Sequence, residues 1–224
     1  MANRGFKDFI EGIQGASLIA ACVLLRPLMK PWYSQWGATD EEVNRSLPGK
    51  EYVPHPKGGY TQATTIQASV AEVWSWVAQI GQGRGGFYSY DVLENLVGCK
   101  IHSTDHTVPE LQHWADGEGL RLYPDAPPIP LAVFEPDTTL LFAGRDEKEI
   151  GNSWGFYLEK IDESTTRLIA RWHFDYKPKL GNKILFNGIV EPISGVMQRK
   201  MLLGIKRRAE AAKKGTALQI EQET

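Results

Sequence analysis

Two runs of strict alternation, joined by a three-residue turn, limit this chain more than anything else in it. From Thr165 to Tyr176, the residues Leu168, Ala170, Trp172, Phe174 and Tyr176 fall on one side of an extended chain. Arg167, Arg171, His173 and Asp175 fall on the other. From Asn152 to Ile161, Trp154, Phe156 and Leu158 again share a side. Asp162-Glu163-Ser164 reads as a hairpin turn, because short polar side chains bond their own backbone there. Two such strands are antiparallel neighbours with one apolar face and one face expected to be wet.

The remaining elements follow from alternation, caps and breakers. Thr61 to Ala68 alternates as a strand and runs into Ser69-Val70-Ala71-Glu72, which fits a capping box. Val70, Val73, Trp74, Val77 and Ile80 then take helical spacing, with Trp74 read as core. After the turn Gly83-Arg84-Gly85-Gly86, a second helix is expected from Phe87 to Leu96. Strands are expected at Gly119–Tyr123, Ile129–Glu135 and Thr138–Arg145. A long last helix carries Ile189, Ile193, Val196, Met197, Met201 and Ile205 along one stripe, with Pro192 tolerated at its opening.

The chain is read as four parts. Residues 1–31 form an apolar helix, 32–59 a linker arm, and 60–213 the folded domain, with 214–224 a polar tail. Ile13 to Leu25 is almost wholly apolar, but a membrane span takes about 20 such residues. The segment therefore admits three readings: a short anchor flanked by Arg4, Lys7, Arg26 and Lys30, a helix lying on a membrane, or one packed on the domain or on a partner. Membrane contact is assigned to residues 9–36, and placement stays between membrane-associated and cytoplasmic. In the arm, Thr39-Asp40-Glu41-Glu42-Val43 offers a cap and an acidic first turn.

Charge and motif spacing exclude several classes. A net charge of −2 gives no reason to expect a nucleic-acid partner. Cys22 and Cys99 show no metal-ligand spacing, and a disulfide between them is not expected. His102, Asp105, His106 and His113 crowd together in a loop without the helical context of a metal motif, so no metal or other cofactor is assigned. Gly81 to Gly86 follows a helix and lacks a Lys-Ser/Thr ending, so its glycines are read as turn formers rather than a phosphate cradle.

The order strand, two helices, antiparallel strands and long C-terminal helix resembles the START-like (SRPBCC) superfamily. That superfamily includes polyketide cyclase/dehydrase-like proteins and Bet v 1-like carriers. The segment Gly81-Gln82-Gly83-Arg84-Gly85-Gly86-Phe87-Tyr88-Ser89-Tyr90-Asp91 is similar to a bacterial subgroup of it. So are Trp36-Gly37-Ala38-Thr39-Asp40-Glu41-Glu42-Val43 and Pro54-His55-Pro56-Lys57-Gly58-Gly59-Tyr60. The resemblance implies an α+β helix-grip fold, a curved antiparallel sheet wrapped around a long C-terminal helix, with an apolar cavity between them. It also implies a lipid-like or polycyclic ligand, and turnover in some members, without choosing between them.

Candidate site residues follow. Asp91 and Glu94 are three apart and share a helix face, so an apolar cavity beside them would raise a carboxyl pKa and suit acid–base work. Tyr88 joins them as a hydrogen-bond donor in the catalytic set. The ligand-binding set is Tyr88, Tyr90, Trp154, Phe156, Trp172, Phe174 and Met197. The expected partner is a small apolar ligand; an enzyme of cyclase or dehydratase type is the alternative. Oligomeric state is not legible in the sequence.

Overall fold

The computed structural model describes residues 2–115, 117–146 and 150–223, with side chains described between 5 and 212 outside those gaps. Among the described residues, six strands form one antiparallel sheet. They are β1 (Gly58–Ile66), β2 (Gly119–Leu120), β3 (Ile129–Glu135), β4 (Thr139–Arg145), β5 (Gly151–Asp162) and β6 (Thr165–Phe174). Their order is β1-β6-β5-β4-β3-β2. The hairpin read from Asp162-Glu163-Ser164 joins β5 to β6 as expected, with Ser164 N–H bonded to Asp162 Oδ1 at 2.7 Å. Register then sets Tyr60 opposite Trp172, Trp172 opposite Trp154, and Trp154 opposite Phe142. This aromatic row crosses four strands on the concave face, and within it the Tyr60 and Trp172 ring centres lie 5.4 Å apart.

The sheet wraps a helix. From Leu180 the chain is helical throughout: α6 (Leu180–Lys183), a π-helical stretch (Ile184–Val190) and α7 (Glu191–Glu223). Pro192 follows directly on the π-helical stretch, inside a helix already running, so its missing N–H removes one intrahelical bond there. The segment 214–224, read as a tail, continues the helix as far as Glu223. Between β1 and β2 lie α4 (Val70–Ala78) and α5 (Asp91–Leu96). Ser69 and Glu72 form the capping box that starts α4. The helix expected from Phe87 begins only at Asp91, because Tyr88 takes a left-handed backbone (φ 56°) that no helix interior accepts. With that sheet, that helix and the apolar N-terminal helix before them, the architecture is the α+β helix grip.

The face expected to be wet is covered. The helix α3 (Asp40–Asn44), with its Thr39–Glu42 capping box, and the residues around it lie across the outer side of β1, β6 and β5. Arg167 forks onto Glu42, at 2.7 Å to each carboxylate oxygen. Arg171 bonds the carbonyls of Glu42, Val43 and Arg45 and the Thr61 hydroxyl. Tyr157 donates to Pro48 O at 2.5 Å. Each outward cation thus finds carbonyls or a carboxylate in the arm, which is what lets them lose water. His173, expected at the surface, is half-buried here. Burial, then the charge of Arg171, pushes its imidazole down to about 4.

The N-terminal residues form two helices, α1 (Ala2–Leu24) and α2 (Arg26–Ser34), bent by 119° at the break. Among the described residues no single helix is long and apolar enough to cross a membrane; only the bent pair taken together has that length and composition. One side of the pair is packed. Cys22 and Tyr33 are fully buried against Tyr90 and Val196 in a core of their own. Gly15 of α1 lies on the Tyr90 ring, Glu11 meets Lys200 at 2.5 Å, and Arg26 meets the buried Glu191 at 3.1 Å. Of the three sequence readings, helix packing on the protein therefore describes this face.

Candidate functional site: an apolar cavity with one unpaired carboxyl

Between the concave face and α7 lies a cavity of about 420 Å³. The sheet gives it Tyr60, Asn152, Trp154 and Trp172. The turn before α5 gives Phe87 and Ser89, α5 gives Glu94, and the segment after β2 gives Leu122. The π-helical stretch gives Phe186 and Val190, and α7 gives Ser194, Met197, Gln198 and Met201. The helical contributions at 190, 194, 197, 198 and 201 follow the spacing of one helix face, so the wall is a single stripe.

Most polar groups in this wall are already committed. Trp154 Nε1 donates to Gln198 Oε1 at 2.7 Å, and Gln198 Nε2 reaches Ala170 O at 3.1 Å. Trp172 Nε1 donates to Asn152 Oδ1 at 2.6 Å. Ser89 Oγ donates to Met197 O at 3.0 Å. The Tyr60 phenol is wholly enclosed; burial raises its pKa far more than its bond to Ser194 lowers it. These pairings satisfy the indoles and amides without reference to any ligand, so they fix the shape of the wall.

Glu94 differs. The residue is 9% exposed, and Oε2 is buried with no hydrogen-bond partner. Burial, then the nearby Asp91 charge, pushes its carboxyl up to about 8. At neutral pH it is mostly the uncharged acid, a group with one O–H to donate and apolar rings around it. A buried polar atom without a partner costs roughly 1–3 kcal/mol, and a ligand acceptor would recover it.

The other expected site residues are distributed as follows. Trp154, Trp172 and Met197 line the cavity with Glu94. Phe156 and Phe174 do not: they sit behind the indoles, with Phe156 5.2 Å from Trp154 and Phe174 4.4 Å from Trp172 between ring centres. Asp91 is turned away and accepts from Ser103 N and Ser103 Oγ, both at 2.7 Å, so it pins the loop rather than facing the cavity. Tyr88 is buried under α7, edge-on to Trp76 at 5.8 Å and beneath the Arg208 guanidinium at 4.7 Å. Burial pushes its phenol up to about 12. Tyr90 caps the start of α5 and packs against α1. Tyr88, Tyr90 and Asp91 border a separate polar cleft of about 390 Å³ between α1, α5 and α7. Asp91 and Glu94 do not face the cavity together because Asp91 opens the helix, where a side chain reaches a neighbouring loop.

Several wall residues were not singled out from sequence: Tyr60, Phe87, Ser89, Leu122, Asn152, Phe186, Val190, Ser194, Gln198 and Met201. Asn152 had a signal, since it alternates with Trp154. Ser194, Gln198 and Met201 had one in their spacing from Met197. Tyr60 becomes visible only once β1 is paired to β6. His106 Nδ1 lies 3.0 Å from Asp105 Oδ1, and among the described residues no group of three or more His, Cys, Asp or Glu is placed to hold a metal ion.

No family model and no curated protein matches the chain. Among solved structures, it is similar to a polyketide-cyclase-like protein from Corynebacterium glutamicum at 17% identity, over 69% of this chain and 92% of that one, with TM-score 0.35. A putative protein of the dynemicin biosynthetic locus matches at 18% identity over 69% and 51%, with TM-score 0.30. The Zhui aromatase/cyclase from Streptomyces sp. R1128 matches at 12% identity over 69% and 97%, with TM-score 0.31.

Proposed function

We propose that the chain binds one small, mostly apolar molecule in the cavity between the sheet and α7, and that Glu94 orients it. The observation that carries this reading is an aromatic hollow of about 420 Å³ whose wall includes a buried polar atom with no hydrogen-bond partner, Glu94 Oε2. That volume falls in the range of about 300–1,000 Å³ usual for small-molecule sites. Apolar contact with Tyr60, Trp154, Trp172 and Met201 would supply affinity at about 25 cal/mol per Å² removed from water. An uncharged acid at position 94 favours a ligand with a neutral acceptor, such as a ketone, ester or hydroxyl, on a lipid-like or polycyclic body. We include membrane contact through residues 9–36 in this reading, supported by the apolar bent helix pair.

The test is titration with Nile red, followed by native mass spectrometry of the purified full chain for a co-purifying ligand. Met197→Trp fills the hollow and is expected to weaken dye binding by about tenfold or more, a change of at least 1.4 kcal/mol. Equal binding by wild type and Met197→Trp overturns the cavity as the site.

A second reading is favoured by the same carboxyl. A group with a pKa of about 8 in a dry site suits general acid–base catalysis of a cyclisation or dehydration. Tyr88 and Asp91 do not reach this cavity, so Glu94 would act with wall groups rather than with them. Turnover retained by Glu94→Gln on an identified substrate removes this reading and leaves binding untouched.

A further inference from the structure

Several of the segments that line the cavity also present apolar side chains to water. Glu94 lines the wall, and Leu96 and Val97, two and three residues on, are among the most exposed apolar groups of the protein. Leu122 both lines the cavity and stands 39% exposed. The π-helical stretch turns Phe186 and Val190 inward and Ile184, Leu185 and Ile189 outward. One helical segment thus serves the cavity on one side and solvent on the other. The corner between α1 and α2, with Leu24, Leu25 and Leu28 exposed, is tied to the same stretch, because Arg26 Nε donates to Asn187 O at 2.6 Å.

Charge on this rim is one-sided. Residues 96–102, 119–126 and 177–190 carry Lys100, Arg121, Lys177, Lys179 and Lys183 against a single acid, Asp125. An apolar ring set in a cationic border matches the layering of a bilayer with anionic headgroups: acyl chains meet the leucines and isoleucines, and phosphates meet the lysines. A protein partner with an apolar knob would not require cations on three separate segments.

We propose that this rim docks on an anionic bilayer and seats the cavity mouth against the acyl region. Docking goes beyond ligand binding, and what passes through the mouth rests on the cavity reading above. A ligand would then move between bilayer and cavity without exposing its apolar surface to water.

The experiment is co-sedimentation of the full chain with vesicles of phosphatidylcholine, alone or mixed with phosphatidylglycerol. Binding is expected with the mixed vesicles. It is expected to weaken as salt shortens the Debye length from about 10 Å at 0.1 M to about 3 Å at 1 M. Ile184→Glu with Ile189→Glu is expected to abolish binding, and each of Lys179→Ala and Lys183→Ala to weaken it on the order of fivefold. Ile161→Glu, at the far end of β5 from the cavity-lining Asn152, is expected to change nothing. No sedimentation with mixed vesicles overturns docking. So does unchanged sedimentation of the Ile184→Glu, Ile189→Glu variant, or its loss only on changing Phe9 and Ile13 of α1. A dimer in light scattering that this variant splits overturns it too, by assigning the rim to a second copy. Nile red binding without vesicles is read in parallel: loss of dye binding with vesicle binding intact rejects the cavity and keeps the docking surface.

Discussion

Trp154 on β5 donates its indole N–H to Gln198 Oε1 on α7 at 2.7 Å, and Gln198 Nε2 reaches Ala170 O on β6 at 3.1 Å and Gln62 Oε1 on β1 at 3.4 Å. Gln62 in turn donates to the carbonyls of Gly195 and of Tyr33 on α2. One buried amide pair therefore joins three strands, the gripped helix and an N-terminal helix. Gln198→Leu leaves the Trp154 N–H without a partner and is expected to cost about 1–3 kcal/mol. Urea denaturation checks it; a change within error would show that the bonds are replaceable.

Glu94 sets a pH dependence. Its folded pKa is about 8 against an ordinary value of 4.5, so between these pH values the folded state holds a proton that the unfolded state has lost. The sign follows: the Glu94 contribution is intact below about 4.5, and stability falls as pH rises toward 8 and levels above it. Glu94→Gln is expected to remove this decline. Denaturant midpoints from pH 5 to 9 measure it, and parallel curves for the two proteins would refute the buried acid.

Glu42 works in the opposite direction. Burial would raise its carboxyl, but bonds from Arg167 and the Thr39 N–H outweigh burial and hold it below 4.5. Its stabilisation is present above the ordinary carboxylate pKa and is lost as pH falls through the lowered one. Glu42→Gln is expected to cost roughly 3 kcal/mol, near the lower end for breaking a buried pair. Thermal melts at pH 7 and at low pH check it, with the wild-type advantage shrinking in acid.

Gly204 is the point where α7 crosses the turn at Tyr88. A Cβ there would run into the Tyr88 carbonyl, on a backbone already held at φ 56°. Gly204→Ala is expected to destabilise by about 1–3 kcal/mol through forced separation of the two segments. Chemical denaturation measures it. A neutral result would mean that the turn shifts freely, and that the residues 87–89 in the cavity wall shift with it.

The N-terminal helices limit one obvious truncation. Removing residues 1–37 takes away Cys22 and Tyr33 and uncovers Tyr90 and Val196. A fully buried apolar side chain is worth about 1.5–3 kcal/mol, so the shortened chain is expected to melt well below the full one. Loss of membrane binding after such a deletion would therefore have to be separated from loss of fold, which the rim substitutions do.

Strand identity was legible because side-chain direction in a strand repeats every two residues: Trp154, Phe156 and Leu158 declared an inner face before any partner was known. The Ser69 and Thr39 caps were legible because capping needs only residues three positions apart. The arm over the outer face was not legible. Arg167 and Arg171 look solvated in sequence, and only the fold brings Glu42 and the carbonyls of residues 42–45 to them.

The sequence by itself determined the sheet, its central hairpin and the apolar stripe of the gripped helix, since periodicity and turn chemistry are local. Only the tertiary structure decided which of two carboxyls one turn apart faces the hollow. Asp91, at the helix start, is drawn off by Ser103, while Glu94, one turn later, is left in an apolar wall. The physical reason is that a carboxyl's protonation and role depend on what desolvates it and what bonds it. For Asp91 the partner is Ser103 in the loop beyond the helix, while the wall that Glu94 joins is completed by β5, β6 and α7, far along the chain.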